Sequence, residues 1–203
     1  IAAQLNQSGK VSQEDISAGR PILVPSIPDK ESSDLINILT LDELNAFVKS
    51  AGPDGKGPKY KELTLEEINK EINFFVTAAQ RVKISGFDAI EIHAGHGYLI
   101  SSFLSPSINK RKDEYGGSPK KRARLLEEII KKIRSKVGPS FPIIVRLDAI
   151  EFRINNGIIP SDFLITAKIA EEAGADALDV SAYGNSNIGI AFTEGPLVHK
   201  PGG

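Results

Sequence analysis

The chain has 203 residues, 40% of them hydrophobic and 25% charged, with a formal net charge of −1. That is enough apolar material for a real core. The near-neutral balance excludes an electrostatic binder of nucleic acid or of a membrane surface. No apolar run reaches the length of a membrane span and no basic-apolar leader opens the chain. With no Cys there are neither disulfides nor thiolate metal sites, which points to a cytoplasmic setting. Met and Trp are absent as well, and the abrupt apolar start reads as the inside of a domain, so a segment of a larger chain is expected.

Ile1 to Leu5 is short, apolar and followed by the turn formers Asn6-Gln7-Ser8-Gly9, the pattern of a buried strand. The stretch from residue 11 to 60 is long for a strand-to-helix connection and is read as a lid. Within it, Thr40 to Ser50 predicts a short helix with Thr40 and Glu43 as a capping box. Thr64-Leu65-Glu66-Glu67 is a second capping box, opening a helix to about Lys83 with Ile68, Ile72, Phe75, Ala79 and Val82 on one stripe. Asp88 to His93 is the next strand. Ser118 caps a further helix with Pro119 at its first position. Pro142 to Leu147 is a strand rich in β-branched residues, Ser161 caps a helix to about Ala173, and Ala175 to Ser181 is a fourth strand. Strands alternating with helices imply a parallel sheet, either doubly wound or closed as a barrel.

Active groups gather at the carboxyl ends of parallel strands. Three of the four strands end in a polar side chain there: Gln4, His93 and Arg146. The run Glu91-Ile92-His93-Ala94-Gly95-His96-Gly97-Tyr98 places two imidazoles and a phenol within six residues. Two imidazoles can hold an oxygen that becomes an enolate, and a neutral phenol can give a proton. The pair could instead satisfy backbone carbonyls, or bind a metal, although His199 is the sole further His. Tyr98 could be an amphipathic core residue. Arg146 could pair with Asp148 or Glu151, or it could stand beside a flavin, where negative charge accumulates on reduction. The basic run Lys120 to Arg124 reads as a solvated helix face, and Gly116-Gly117 as a tight turn. No G-x-G-x-x-G or Walker loop is present.

The His-pair block, with Phe103-Leu104-Ser105-Pro106 and Asn109-Lys110-Arg111-Lys112-Asp113-Glu114-Tyr115-Gly116-Gly117-Ser118, resembles the old yellow enzyme family of FMN-dependent reductases. Gln4-Leu5 with Gly9, Gly19-Arg20-Pro21 and Arg146 resemble other parts of it. The resemblance implies a TIM (β/α)8 barrel, with this chain covering strands three to six. It implies FMN as cofactor, NAD(P)H as reductant and an α,β-unsaturated carbonyl compound as substrate. Tyr98 would be the catalytic proton donor, His93 and His96 the substrate-binding pair, and Gln4 and Arg146 the cofactor-binding residues, with no metal. A homo-oligomer would be consistent with it. Gln7 and Lys10 stand where a His and an Arg are common, and Lys121 where Asn is usual. Other readings of the same residues are a thioester reductase of that family, a metal-dependent barrel lyase or hydrolase, and a noncatalytic remnant.

Overall fold

Thr64 opens the longest helix because both halves of its capping box form. The Thr64 hydroxyl accepts from the Glu67 amide at 3.2 Å, and a Glu67 carboxylate oxygen accepts from the Thr64 amide at 3.1 Å. Such a cap contributes about 1 kcal/mol. The structure, a computed structural model, describes residues 1–28, Pro53 and 58–184. The expected helix over Thr40–Ser50 and His199 lie outside them. In chain order the elements are β1 (Ala2–Leu5), a 3-10 turn (Gly9–Val11), α1 (Gln13–Ser17), β2 (Ile22–Val24), β3 (Tyr60–Glu62) and α2 (Leu65–Ile84). They continue with β4 (Ala89–Ala94), α3 (Leu99–Leu104), α4 (Pro119–Arg122), α5 (Arg124–Val137), β5 (Ile143–Phe152), α6 (Pro160–Ala173) and β6 (Ala177–Gly184). The described part of residues 11–60 therefore holds α1 and β2, and β2 pairs in parallel with β3 outside the main sheet.

Four strands make that main sheet, in the order β1-β4-β5-β6, and every pair is parallel. Period-2 alternation sorts their side chains. Ile90, Ile92, Ala94, Ile143, Val145 and Leu147 are buried in one cluster with Ile68 and Ile72 of α2 and with Leu126, Ile129, Ile130 and Ile133 of α5. The opposite face carries Gln4, Glu91, His93, Arg146 and Asp179, none of which belongs to the core. A doubly wound sheet needs apolar residues on both faces to seat helices on both sides. Apolar packing confined to one face selects an arc of a barrel.

Three local expectations need correction. The helix after Ser118 breaks at Ala123 (φ −76°, ψ −9°), because Arg122 is turned inward rather than solvated. Arg122 donates from Nε to the Leu104 carbonyl at 2.7 Å and from Nη2 to Asp162 at 2.6 Å, while Lys120, Lys121 and Arg124 stay exposed. Helix α6 starts at Pro160, with Ile159 as an N-cap that makes no side-chain bond; proline presets the first helical φ, so Ser161 is not the cap. Strand β5 runs on to Phe152, past a register shift between Asp148 and Glu151.

The segment 109–118 proves to be lacing. The Asn109 amide donates to the carbonyls of Phe103 and Tyr115, both at 2.7 Å. Arg111 reaches the Leu63 carbonyl at 2.7 Å and the Pro25 carbonyl at 3.1 Å, tying the β2–β3 pair to the loop that follows α3. At Gly116 a Cβ would stand 2.1 Å from the Arg111 carbonyl oxygen, so the motif's first glycine is a packing requirement.

Because Ile129 is fully buried between helix and sheet, Ile129→Ala should lower the unfolding free energy by about 2–5 kcal/mol. Phe74→Ala, at a position 65% exposed, should change it by less than about 1 kcal/mol. Denaturant midpoints compare the two, and equal effects would contradict the placement of the core.

Candidate active site

Parallel register sets the site's lateral spacing. His93 of β4 stands beside Arg146 of β5, and Arg146 stands beside Asp179 of β6. Gln4 lies one row lower, opposite Glu91, to which its side-chain amide donates a short hydrogen bond. The three strand-end residues thus share one face of three adjacent strands, Gln4 offset from the other two by one pleat. Arg146 does not pair with Asp148 or Glu151. Its Nε lies 3.3 Å from an Asp179 carboxylate oxygen, in ion-pair range, yet that buried nitrogen has no aligned hydrogen-bond acceptor.

Beyond His93 the strand turns sharply. His96 is left-handed, with φ +57°, a conformation uncommon outside glycine. Its backbone N–H donates to Asp148 at 2.6 Å, which holds the turn. Gly95 and Gly97 flank it because nothing larger fits: a Cβ would stand 2.8 Å from an Asp148 oxygen at the first and 2.8 Å from the Tyr183 hydroxyl at the second. Ser101 and Ser102 then take up the Gly97 amide and carbonyl, at 3.3 and 3.1 Å. Tyr98 is the N-cap residue of α3, whose six residues are all buried.

These constraints gather three rings. The His93 and His96 centroids lie 5.0 Å apart, edge-on, with His93 Nε2 and His96 Nδ1 separated by 3.2 Å. The Tyr98 ring stands 4.6 Å from His93, also edge-on. His93 is 5% exposed, and its pKa lies below the ordinary 6.5, first through burial and then through the charges of His96 and Arg146. It is therefore a neutral ring at pH 7. Burial also raises the Tyr183 phenol, helped by the negative charges of Glu151 and Asp148.

Five side chains have roles that escaped the sequence reading. Asp148 was considered as a partner of Arg146; it instead supports the His turn. Asp179, Ser181 and Tyr183 occupy alternate positions of β6, and only the strand's register shows that they face the site. Glu151 is buried, accepts from Ser105 Oγ at 2.6 Å and from the Ile158 amide at 2.7 Å, and is raised in pKa by desolvation. It braces the end of α3 beneath the site.

Among the described residues, a parallel arc thus carries its apolar core on one face and imidazoles, a phenol and an arginine at the strand ends on the other. Comparison with known proteins makes the class specific. The family model described as "NADH:flavin oxidoreductase / NADH oxidase family" matches residues 49–191, well over half of the chain. The chain belongs to that family. It is 37% identical over 184 residues to an NADPH dehydrogenase of Clostridium acetobutylicum, covering 91% of this chain and 46% of the relative. It is 46% identical over 122 residues to an NADPH dehydrogenase of Bacillus licheniformis, covering 60% and 35%. The structure matches the old yellow enzyme homologue from Zymomonas mobilis with TM-score 0.66 and 28% identity, over 89% of this chain and 47% of that one. The four strands are an arc of a (β/α)8 barrel, and the chain spans less than half the length of these relatives.

A lowered His93 pKa makes an acid-sensitivity prediction with a definite sign. Between 6.5 and the lowered folded value, the unfolded chain binds a proton that the folded chain refuses. Stability from this group is present above pH 6.5 and is lost as pH falls through that window. His93→Gln should flatten the fall in unfolding free energy between about pH 7 and pH 5. An identical pH slope in both proteins would show that His93 is not held neutral.

Proposed function

We propose that this chain supplies the substrate-facing arc of an FMN-dependent oxidoreductase that reduces the activated C=C bond of α,β-unsaturated carbonyl compounds at the expense of NAD(P)H. The reading rests on one observation above the others: His93 is in ring contact with both His96 and Tyr98 and stands beside Arg146, on the sheet face opposite the apolar core.

The residues present fit a flavin. Arg146 offers a guanidinium whose buried Nε lacks an aligned acceptor, and Gln4, one strand-pair away, offers an amide that can donate and accept at a pyrimidine edge. A fixed guanidinium favours a ring system that gains negative charge on reduction. When bound, FMN supplies hydride, taken from NAD(P)H, to the β-carbon of the substrate.

Everything else falls to side chains of this chain. An oxygen 2.7–3.1 Å from donors is the geometry of an oxyanion clamp. An oxygen seated between the two ring nitrogens, which lie 3.2 Å apart, can replace their bond to each other, accepting from His93 Nε2–H and, when the His96 ring is protonated, from His96 Nδ1–H. That oxygen takes on enolate charge as hydride arrives, so donors aimed at it stabilise the transition state more than the ground state. Tyr98, held against His93 at the head of α3, carries a hydroxyl that can deliver a proton to the α-carbon. The C=C bond is reduced by one hydride and one proton, and NAD(P)H is oxidised.

The metal-dependent alternative gains no support: among the described residues no group of three or more His, Cys, Asp and Glu is arranged to hold an ion. Among those same residues no helix is long and apolar enough to cross a membrane. A cytoplasmic setting is part of the proposal, resting on the lack of cysteine.

The whole protein should be yellow and should bleach under NADPH in the absence of oxygen. Tyr98→Phe should leave that bleaching unchanged while slowing turnover of an enone such as cyclohexenone by about 10²–10⁴-fold, the usual scale of general acid catalysis. An unchanged enone rate would remove Tyr98 from the reaction. A colourless protein would overturn the proposal.

A further inference from the structure

One carboxylate meets both the backbone and the ring of His96. Asp148 accepts from the His96 backbone N–H at 2.6 Å, and its other oxygen lies 3.6 Å from Nε2 of the same residue's ring. The Asp148 side chain is wholly buried, and the Ser181 hydroxyl donates to it at 2.8 Å. Each of its two oxygens thus accepts one hydrogen bond.

The protons on the two imidazoles follow from the bonds around them. The Gly95 N–H donates to His93 Nδ1 at 3.3 Å, so in neutral His93 the proton sits on Nε2. That Nε2–H faces His96 Nδ1 at 3.2 Å, which makes His96 Nδ1 the acceptor and leaves its own proton on Nε2, toward Asp148. The charged and titratable groups around the His96 ring are His93, Asp148, Tyr183 and the Lys10 side chain, which passes the same turn at Gly97, with Arg146 and Asp179 one strand further. Among these, Asp148 is the carboxylate whose oxygen stands beside a His96 ring nitrogen.

We propose that Asp148 is the positioning residue of the clamp: it faces the Nε2–H side of His96 and is the counter-charge that lets the ring take a second proton at Nδ1 when an oxyanion binds. The inference rests on the ligand-clamp role proposed above for the His pair. Neutral His96 cannot donate from Nδ1 while its proton faces Asp148. The ring donates from both nitrogens only as imidazolium, and a half-buried imidazolium is stabilised by the carboxylate beside it. For an acidic phenol the balance closes within the complex. The phenol O–H breaks, its proton goes to His96 Nδ1, and the phenolate oxygen accepts from that N–H and from His93 Nε2–H. The site is thereby selective for ligands whose oxygen carries or develops negative charge, over neutral oxygen ligands of the same shape.

The test is nitrogen NMR of the whole, cofactor-loaded protein with ¹⁵N-labelled histidine, read without ligand and with 4-nitrophenol. Expected without ligand is a protonated-type Nε2 and an unprotonated-type Nδ1 for His96, and with 4-nitrophenol two protonated-type nitrogens. Asp148→Asn, whose amide oxygen can still accept from the His96 N–H, should abolish the doubly protonated state. It should weaken 4-nitrophenol binding by about tenfold or more, the scale of a hydrogen bond to a charged group. It should weaken acetophenone, a neutral carbonyl, much less, whereas a purely structural role would weaken both alike. An Nδ1–H tautomer in the unsubstituted protein, or a doubly protonated His96 surviving in Asp148→Asn, would overturn the proposal. Should the variant fail to fold, the ligand-free tautomer of the unsubstituted protein decides. A protein showing the expected tautomer that binds neither ligand would count against the clamp role of the His pair, and the tautomer assignment would stand.

Discussion

One constraint governs the molecule: parallel pairing of β4 with β5 and β5 with β6, in a register that sets His93, Arg146 and Asp179 side by side. Strand period then does two jobs with one ladder. On β4 and β5 the residues turned toward the helices, Ile90, Ile92, Ala94, Ile143, Val145 and Leu147, are apolar and buried, and their neighbours turned the other way are free to be polar. Slipping one strand by a single residue would bury His93 or Arg146 among Ile129 and Ile133 and expose Ile92 or Val145 in exchange. The core therefore enforces the site: its apolar cluster cannot form unless the polar row does.

A second layer of control lies past the strand ends, where the chain must turn abruptly to start α3. Asp148 captures the His96 amide, Ser101 and Ser102 capture the Gly97 backbone, and the two glycines let Asp148 and Tyr183 press close. Ser101 and Ser102 are local, but Asp148 and Tyr183 belong to β5 and β6, so the His pair is aimed in part by elements distant in sequence. The left-handed His96 costs conformational energy, and residues kept in that region by their surroundings cluster at functional sites. The ring contacts among His93, His96 and Tyr98 are the product of that effort.

Legibility in the sequence tracked how local each signal was. Thr64 and Glu67 lie three residues apart and cap a helix by themselves, so their role could be read directly. The same holds for Ser118 with Pro119, and for the alternation that turns His93 away from Ile92. What failed depended on partners far along the chain. Arg122 looked solvated until Leu104 and Asp162 were placed around it, and the helix broke at Ala123 to bring it inward. Arg146 pairs with Asp179, a residue that no spacing rule links to it. Asp148 changed role because the amide that it accepts from, that of His96, lies 52 residues away in the chain. Ser161 lost its cap to Pro160, whose fixed φ is the stronger determinant at a helix start. The barrel arc itself was one of two architectures that the strand–helix alternation allowed, and apolar packing on a single face separates them.

The central claim is that the polar face of this sheet grips one flat redox ring through Arg146 and Gln4, with the His pair and Tyr98 poised over its guest. The most direct measurement is the FMN dissociation constant of the whole protein with and without Arg146→Ala, alongside circular dichroism to confirm that the fold is kept. The account predicts a rise of about tenfold or more, the loss of a charge-assisted bond. An unchanged constant in a folded variant would contradict it, because the guanidinium would then have no ring beside it.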